Sequence, residues 1–505
     1  MIRNVIFSLL ALSLVLPVAA QKKAAAKKAA PKAAAKEAPA PVQPAAPAAA
    51  APANAEEHSI DTAAANKYGV SEELVESLKR KRVLNDKDFE KKKEGGFVTG
   101  LPLVNSDPNT GFGYGARLYY FYNGEKQDPL FRRTPYRHQV YAQFFQTTFG
   151  YQYHELNWDS PYIMNSLFRV RSALVFEKNI WANYFGTGAR TMGAVSDGYF
   201  ASIGQPGMYD KYSDYNNDLR KVTNGATNSG FNRYSFERPA AVAFLERDFF
   251  GGIVRPQFGV HIGKYNIRDL EGTKVQADGG EATSGRTLLG IENQQGLVRG
   301  YDGGWHNLVR FGIAIDTRDY EPDPNKGQMF EAIVETSNKA YGSQFNFTRY
   351  TVSEKFFYSP FEKLVDLVIA GRAAYTQAVG DVPFYSLDQF TSTERIYQGG
   401  LGGLRSLRGY KASRFMATNM ALANLELRWT MFDFTVAGQR FAPIFVPFFD
   451  IGSAFDQPKD ISTSVWRYAY GAGIRIAWNQ ATIIMVDYAM SKEDSNMFIN
   501  FSHIF

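Results

Sequence analysis

Ala421-Leu-Ala-Asn-Leu-Glu-Leu-Arg-Trp-Thr-Met431 decides what kind of protein this is. Ala423, Leu425, Leu427, Trp429 and Met431 fall on one face of an extended chain; Asn424, Glu426, Arg428 and Thr430 fall on the other. A soluble sandwich would bury that apolar face and leave the polar one in water. A membrane barrel does the reverse: it shows the apolar face to lipid and needs a wet or charge-paired interior for the other. The rest of the chain has to choose between them.

The alternation recurs on both sides. Tyr468, Tyr470, Ile474, Ile476 and Trp478 oppose Ala469, Gly471, Gly473 and Arg475. Phe168, Val170, Leu174 and Phe176 oppose Arg169, Arg171 and Glu177, and Val309, Phe311, Ile313 and Ile315 oppose Arg310 and Asp316. From Gly96 onward about sixteen such runs can be counted, each near the ten residues a membrane strand needs. Their connections alternate in length, with short links at Asp159-Ser160-Pro161, 248–252 and Ser359-Pro360-Phe361 and long ones at 179–233, 266–304 and 378–417. Only the link at 124–135 is long where a short turn is expected. Outer-membrane barrels alternate in this way, with short periplasmic turns and longer external loops. The final strand, Asn500-Phe-Ser-His-Ile-Phe505, places Phe501 and Phe505 on one face, like a C-terminal barrel signal.

Export is written at the other end. Arg3, the apolar run 5–18 and the small-residue site Val18-Ala19-Ala20 read as a signal peptide over residues 1–20, too short to span a bilayer. Residues 21–57 are almost entirely Ala, Pro and Lys, which bury too little to fold, so they form a disordered tether. Lys22, Lys23, Lys27, Lys28, Lys32 and Lys36 suit an anionic surface such as the cell wall; no nucleic-acid partner is expected. Residues 58–94 form a short charged helical segment, with Ser71 as cap and Glu72 and Glu73 in the first turn. The segment could lie beneath the barrel or inside it, or simply extend the tether. Residues 95–505 are the barrel. The fold class is therefore all-β: a transmembrane antiparallel barrel of about 16 strands behind a short helix and a disordered tether.

Between two strand-like runs lies Tyr397-Gln-Gly-Gly-Leu-Gly-Gly-Leu-Arg-Ser-Leu-Arg-Gly-Tyr410, the sixth external loop. Gly399, Gly400, Gly402 and Gly403 let the backbone pack close to a wall, and the loop ends in a basic-aromatic tip. Several segments in order resemble the superfamily of outer-membrane barrels that holds the BamA and TamA insertases and the two-partner-secretion transporters. Asp316-Thr-Arg318-Asp319, followed by Pro324, Gly327 and Glu331, is similar to its turn after strand 8. Leu407-Arg-Gly-Tyr410 is similar to its loop signature, and Asn424–Arg428, Phe448–Gly452 and Gly471–Arg475 to its strands 12, 13 and 14. Insertases of this kind carry polypeptide-transport-associated domains before the barrel; here that stretch is a tether and one helix.

Asp450 interrupts the apolar run 445–451, where an ionised group needs compensation. A guanidinium fork can hold one carboxylate at both oxygens and reach a second. If the loop folds inward, Arg408, flanked by Gly409 and Tyr410, bonds Asp450 with Glu426 as second partner; the resemblance implies the same pairing.

Enzyme signatures are missing. There is no His-Glu-x-x-His, no P-loop and no Gly-x-Ser-x-Gly, the six histidines are scattered, and with no cysteine there is no thiolate chemistry. Asp210, Asp214, Asn216, Asn217 and Asp218 begin like a calcium loop, but Leu219 and Gly225 replace its turn glycine and bidentate Glu, leaving a solvated polar loop. Neither enzyme activity, metal nor cofactor is expected. The function implied is assembly or translocation of polypeptide, or lipid, at the bacterial outer membrane, through a seam between the first strand, near 97–104, and the last, near 497–505. The alternatives are a passive pore and a structural anchor; the expected partners are outer-membrane lipid, client polypeptides and the cell wall.

Overall fold

The computed structural model describes residues 62–79, 89, 90, 92–207, 209–319, 321, 323–361, 364–395, 399–436, 439–478, 482–501 and 503–505. The signal segment, the tether, the first residues of the 58–94 segment, and Tyr397 and Gln398 lie outside the described residues.

Sixteen antiparallel strands follow one another around a closed barrel. They are β1 (Gly96–Asp107), β2 (Gly111–Tyr122), β3 (His138–Thr147), β4 (Tyr151–Ser160), β5 (Phe168–Asn183), β6 (Arg233–Arg247), β7 (Val254–Asp269) and β8 (Leu308–Asp316). The ring continues through β9 (Gly327–Ser337), β10 (Phe347–Tyr358), β11 (Leu367–Gly380), β12 (Asn419–Thr430), β13 (Gln439–Phe455), β14 (Arg467–Trp478), β15 (Thr482–Ser491) and β16 (Ser495–Phe501). Each strand pairs with the next in sequence, β1 with β2 over their whole length from Gly96↔Tyr122 to Asp107↔Gly111. The ring closes between β16 and β1 through the single pair Ser106↔Ile499.

Burial identifies the barrel's surroundings. On β12, Leu425 and Trp429 are each 44% exposed, whereas Glu426 is fully buried and Arg428 is 3% exposed. Apolar side chains point out and charges point in, the reverse of a soluble sandwich, as hydrocarbon outside requires.

The long-loop end is closed by a dome built from 184–232, 270–302 and 381–418. It contains α3 (Asp197–Ser202), α4 (Tyr212–Leu219), α5 (Leu288–Gln294), α6 (Phe384–Leu387) and a small four-stranded sheet. Tyr184, Tyr215, Phe231, Leu289, Phe384 and Tyr385 share one apolar core there. The stretch expected as a solvated polar loop is largely α4, because Tyr212, Tyr215 and Leu219 fall on one helical face and enter that core.

The length alternation fails for the first four strands. The β1–β2 and β3–β4 connections, 108–110 and 148–150, are tight at the long-loop end, while the 123–137 link is extended at the other. That link is long because it receives the N-terminal helices α1 (Thr62–Lys67) and α2 (Glu72–Lys79). Ala65, Val70, Leu74 and Leu78 pack on Leu130, Tyr162 and Leu167 of the short-turn end. Ser71 Oγ accepts from Leu74 N at 3.3 Å at the start of α2, and Arg133 Nη1 donates to Leu78 O at 2.8 Å near its end. The helices lie against the rim of the barrel.

The last residues depart from expectation too. β16 ends at Phe501, opposite Ile484, and the chain then turns inward. Ile504 and Phe505 pack with Phe357 and Val368, and the Phe505 ring lies 5.2 Å from the guanidinium carbons of both Arg372 and Arg428. Phe501 and Phe505 therefore share no strand face: two lumen cations and an apolar pocket draw the second ring inside.

A charge on the outer face should be costly. Leu425→Arg, at the middle of β12, is expected to destabilise the barrel by about 2–4 kcal/mol in lipid vesicles. Urea titration read by tryptophan fluorescence measures this, and a neutral result would contradict a lipid-facing position.

Candidate functional site

The sixth loop, 381–418, leaves β11 and enters the barrel instead of standing above it. Arg408, fully buried, meets three walls at once. Its Nε and Nη2 donate to Asp450 Oδ2 and Oδ1 on β13, both at 2.8 Å, and its backbone N to Oδ2 at 3.2 Å. Its Nη1 donates to Glu426 Oε1 on β12 and Asp487 Oδ2 on β15, both at 2.8 Å. Its guanidinium carbon sits 3.4 Å from the ring centre of Phe448. Arg475 on β14 donates to Glu426 at 2.6 and 3.0 Å, and Arg428 Nε to the same carboxylate at 3.0 Å. Three guanidiniums (Arg408, Arg428, Arg475) thus meet three carboxylates (Glu426, Asp450, Asp487), and the cluster is formally neutral.

Glycine makes the approach possible. A β-carbon on Gly409 would stand 2.7 Å from the Met490 carbonyl. Gly402 and Gly403 turn the loop at φ 110° and 82°, a region that favours glycine. Gly400 lies so close to Asp388 that a side chain would collide, whereas Gly399 faces open space. Tyr410 is buried edge-on to Phe415, their ring centres 5.1 Å apart.

The inward limb of the same loop has its own anchorage. Glu331 on β9 accepts from Thr393 N at 2.7 Å, Thr393 Oγ1 at 2.6 Å and Ser392 Oγ at 3.0 Å. Arg310 on β8 donates to Ser392 O at 2.9 Å, and Arg171 on β5 and Gln257 on β7 donate to Thr393 O at 2.6 and 3.0 Å. Lys355 Nζ on β10 bonds Glu394 Oε2 at 2.6 Å, and Arg318 bonds the other oxygen of Glu394. Arg318 is in turn held by Asp316, through Nε at 2.9 Å and Nη2 at 2.8 Å, so the turn motif points into the lumen as its floor. Asp319 Oδ1 accepts from Asn325 N and Lys326 N, closing that turn, and Gly327 at φ 99° passes hard against the Thr317 carbonyl.

A model described as the Omp85 superfamily domain matches residues 150–502. The chain belongs to the Omp85 superfamily. A domain of unknown function (DUF5982) matches residues 74–137, from within α2 to the β2–β3 link. No curated protein sequence matches. BamA from Haemophilus ducreyi lacking POTRA domains 1–3 is 12% identical, with 81% of this chain and 70% of that one covered at a TM-score of 0.46. CdiB from Escherichia coli is 12% identical, with 80% and 62% covered at a TM-score of 0.47.

In this Omp85 barrel the sequence reading joined Arg408 to Asp450 and Glu426 but missed Asp487 and the role of Arg475. Asp487 had a signal, since it is a lone carboxylate in the apolar run Thr482–Ser491. The Ser392–Glu394 anchorage had none, because the segment has no period and no unusual composition.

Two outcomes follow. Arg408→Ala leaves the cluster one positive charge short and should cost about 3–5 kcal/mol, and Arg408→Ala with Asp450→Ala should cost clearly less than the two single losses added; additive losses in denaturant titrations would deny the contact. Burial pushes the Asp388 carboxyl up to about 7, opposed by its bonds with Ser413 Oγ at 2.5 Å and Gly400 N at 3.1 Å, which tie the loop's two limbs. A raised acid stabilises fully below its ordinary value of 3.8 and loses that contribution as pH climbs to about 7. Asp388→Asn should remove the loss, so that melting temperatures of the two proteins diverge over that window and stay separated above it. Parallel curves would contradict it.

Proposed function

We propose that this protein assists polypeptide assembly or translocation at the outer membrane by offering the edge of β1 to an extended client strand. The seam carries the proposal. β1 is paired along its whole length with β2 but meets β16 at one position, and β16 ends before it reaches the lower half of β1. The edge from Gly96 to Leu103 therefore has no strand partner among the described residues, and Val98 on it is 69% exposed. Unpaired backbone is costly in hydrocarbon, so such an edge favours pairing with an incoming strand. Membership of the superfamily supports the same reading.

The passive-pore alternative is weakened by the interior. A water-filled channel would wet its inward charges, yet Arg349, Arg408, Arg414 and Arg475 are among the most completely buried large side chains of the described residues. The dome covers one end, and the Asp316 turn with the tail at 503–505 lies across the other.

Single cysteines at Phe97, Thr99 and Leu101 should form disulfide crosslinks to the terminal strand of a nascent barrel supplied with a cysteine, while planar bilayers show little steady conductance. Steady ion flow with no crosslink at any of the three positions would overturn the proposal in favour of a pore.

A further inference from the structure

We infer that residues 408–412 of the lumen loop clasp the upper ends of β1 and β16 together, with Asn109 and Asn496 as the positioning residues, so that the seam opens from its periplasmic end alone. This deepens the proposed function and rests on it, because it sets where along the seam a client strand can pair.

One side of the clasp holds β16. Asn496, 1% exposed, donates from Nδ2 to Arg408 O at 3.0 Å. Lys411 Nζ lies 3.1 Å from Asp494 Oδ2 and donates to Asn496 Oδ1 at 3.4 Å, and Ser491 Oγ donates to Gly409 O at 2.7 Å. The other side holds β1. Ala412 N donates to Asn109 Oδ1 at 3.2 Å, and Asn109 donates from its N and Nδ2 to Oδ1 of Asp107, the last residue of β1, at 2.7 and 2.8 Å. Asn183 completes it from β5, donating to Asn109 Oδ1 at 3.2 Å and to Ala412 O at 2.8 Å. Within this five-residue segment Arg408 and Lys411 thus bond β16, Gly409 bonds the end of β15 and Ala412 bonds Asn109 at the end of β1, while Arg408 is fixed to β12, β13 and β15 by three carboxylates.

Among the described residues the lower seam has no counterpart. Extending the register Ser106↔Ile499 sets Phe501 against Val104, the last described partner position before the tail leaves for the lumen. Further down, β1 carries Pro102, which cannot donate to a ladder and is found on strand edges. The upper seam needs the clasp because its backbone supplies a single pair. With the clasp in place, a client can pair only along Gly96–Leu103 and must approach from the periplasmic side.

The natural chain has no cysteine, so spin labels attach only where they are placed. Phe112→Cys with Met497→Cys flanks the upper seam, and Val98→Cys with Phe501→Cys the lower. In nanodiscs without client, the upper pair should give one narrow distance peak and the lower pair a broad one. In Asn109→Ala with Asn496→Ala the upper distribution should become roughly twofold wider, as expected of a local opening, while the lower is unchanged. An upper peak that stays narrow in the doubly substituted protein, with its heat-modifiable gel mobility intact, would overturn the clasp. Should that protein fail to fold, Lys411→Ala and Asn109→Ser separately take its place: widening in either supports the clasp, and no widening in both rejects it. A clasp that loosens without client crosslinks at Phe97, Thr99 or Leu101 removes the proposed function and leaves the clasp. Crosslinks with an unresponsive upper pair do the opposite.

Discussion

A guanidinium in a dry interior is tolerable only where carboxylates surround it, and the lumen of this barrel is organised around that constraint at Arg408. Its partners come from β12, β13 and β15, so one loop side chain ties three strands of the wall. The loop has to reach that depth, and Gly409 has to pass within a normal contact of the β15 backbone for it to do so. Arg475 and Arg428 then share Glu426, which balances the cluster charge for charge. Such a cluster contributes less to net stability than to fixing a single arrangement, since the gain in attraction is largely offset by desolvation. A loop that could settle against many parts of a wide barrel settles against one.

Seating that loop has consequences at both ends of the lumen. Its inward limb reaches Glu331, Lys355 and Arg318, so the turn after β8 is drawn in as a floor. The segments above it supply aromatic and aliphatic side chains to the dome. Much of what would otherwise be a wide aqueous channel is filled by the loop, and under the proposed function the surface left for a client is the wall itself, at the seam. There the two halves differ: side chains reinforce the top, where the backbone offers one pair, and the bottom edge has no strand partner among the described residues. The inward position of Ile504 and Phe505, held by Arg372, Arg428 and the pocket around Phe357, goes with a β16 that ends at Phe501.

Much of this was legible from residue order. Period two in Ala421–Met431, with glutamate and arginine on the polar face, separated the two sides, and the export signal with strands near ten residues long pointed the apolar one to lipid. A lone carboxylate in an apolar strand and the arginine of the Leu407–Tyr410 tip already called for each other. By the same rule Asp487 in Thr482–Ser491 was within reach, since a buried acid requires a cation whichever strand bears it. The short external connections at 108–110 and 148–150 could not be weighed, because the long link at 123–137 looked like an irregularity until the helices packed on it were visible.

Sequence by itself determined the strands, their facing, the order in which they pair and the need of Arg408 for an acid, because these depend on near neighbours in the chain and on the sign of each charge. Tertiary structure alone decided that Asp487 and Arg475 join the cluster, that Phe505 leaves its strand, that Ser392–Glu394 anchors the loop, and that Asn109 and Asn496 both bond its 408–412 segment. Those contacts join residues tens to hundreds of positions apart, and their partners are set by barrel curvature and register, which no local pattern encodes.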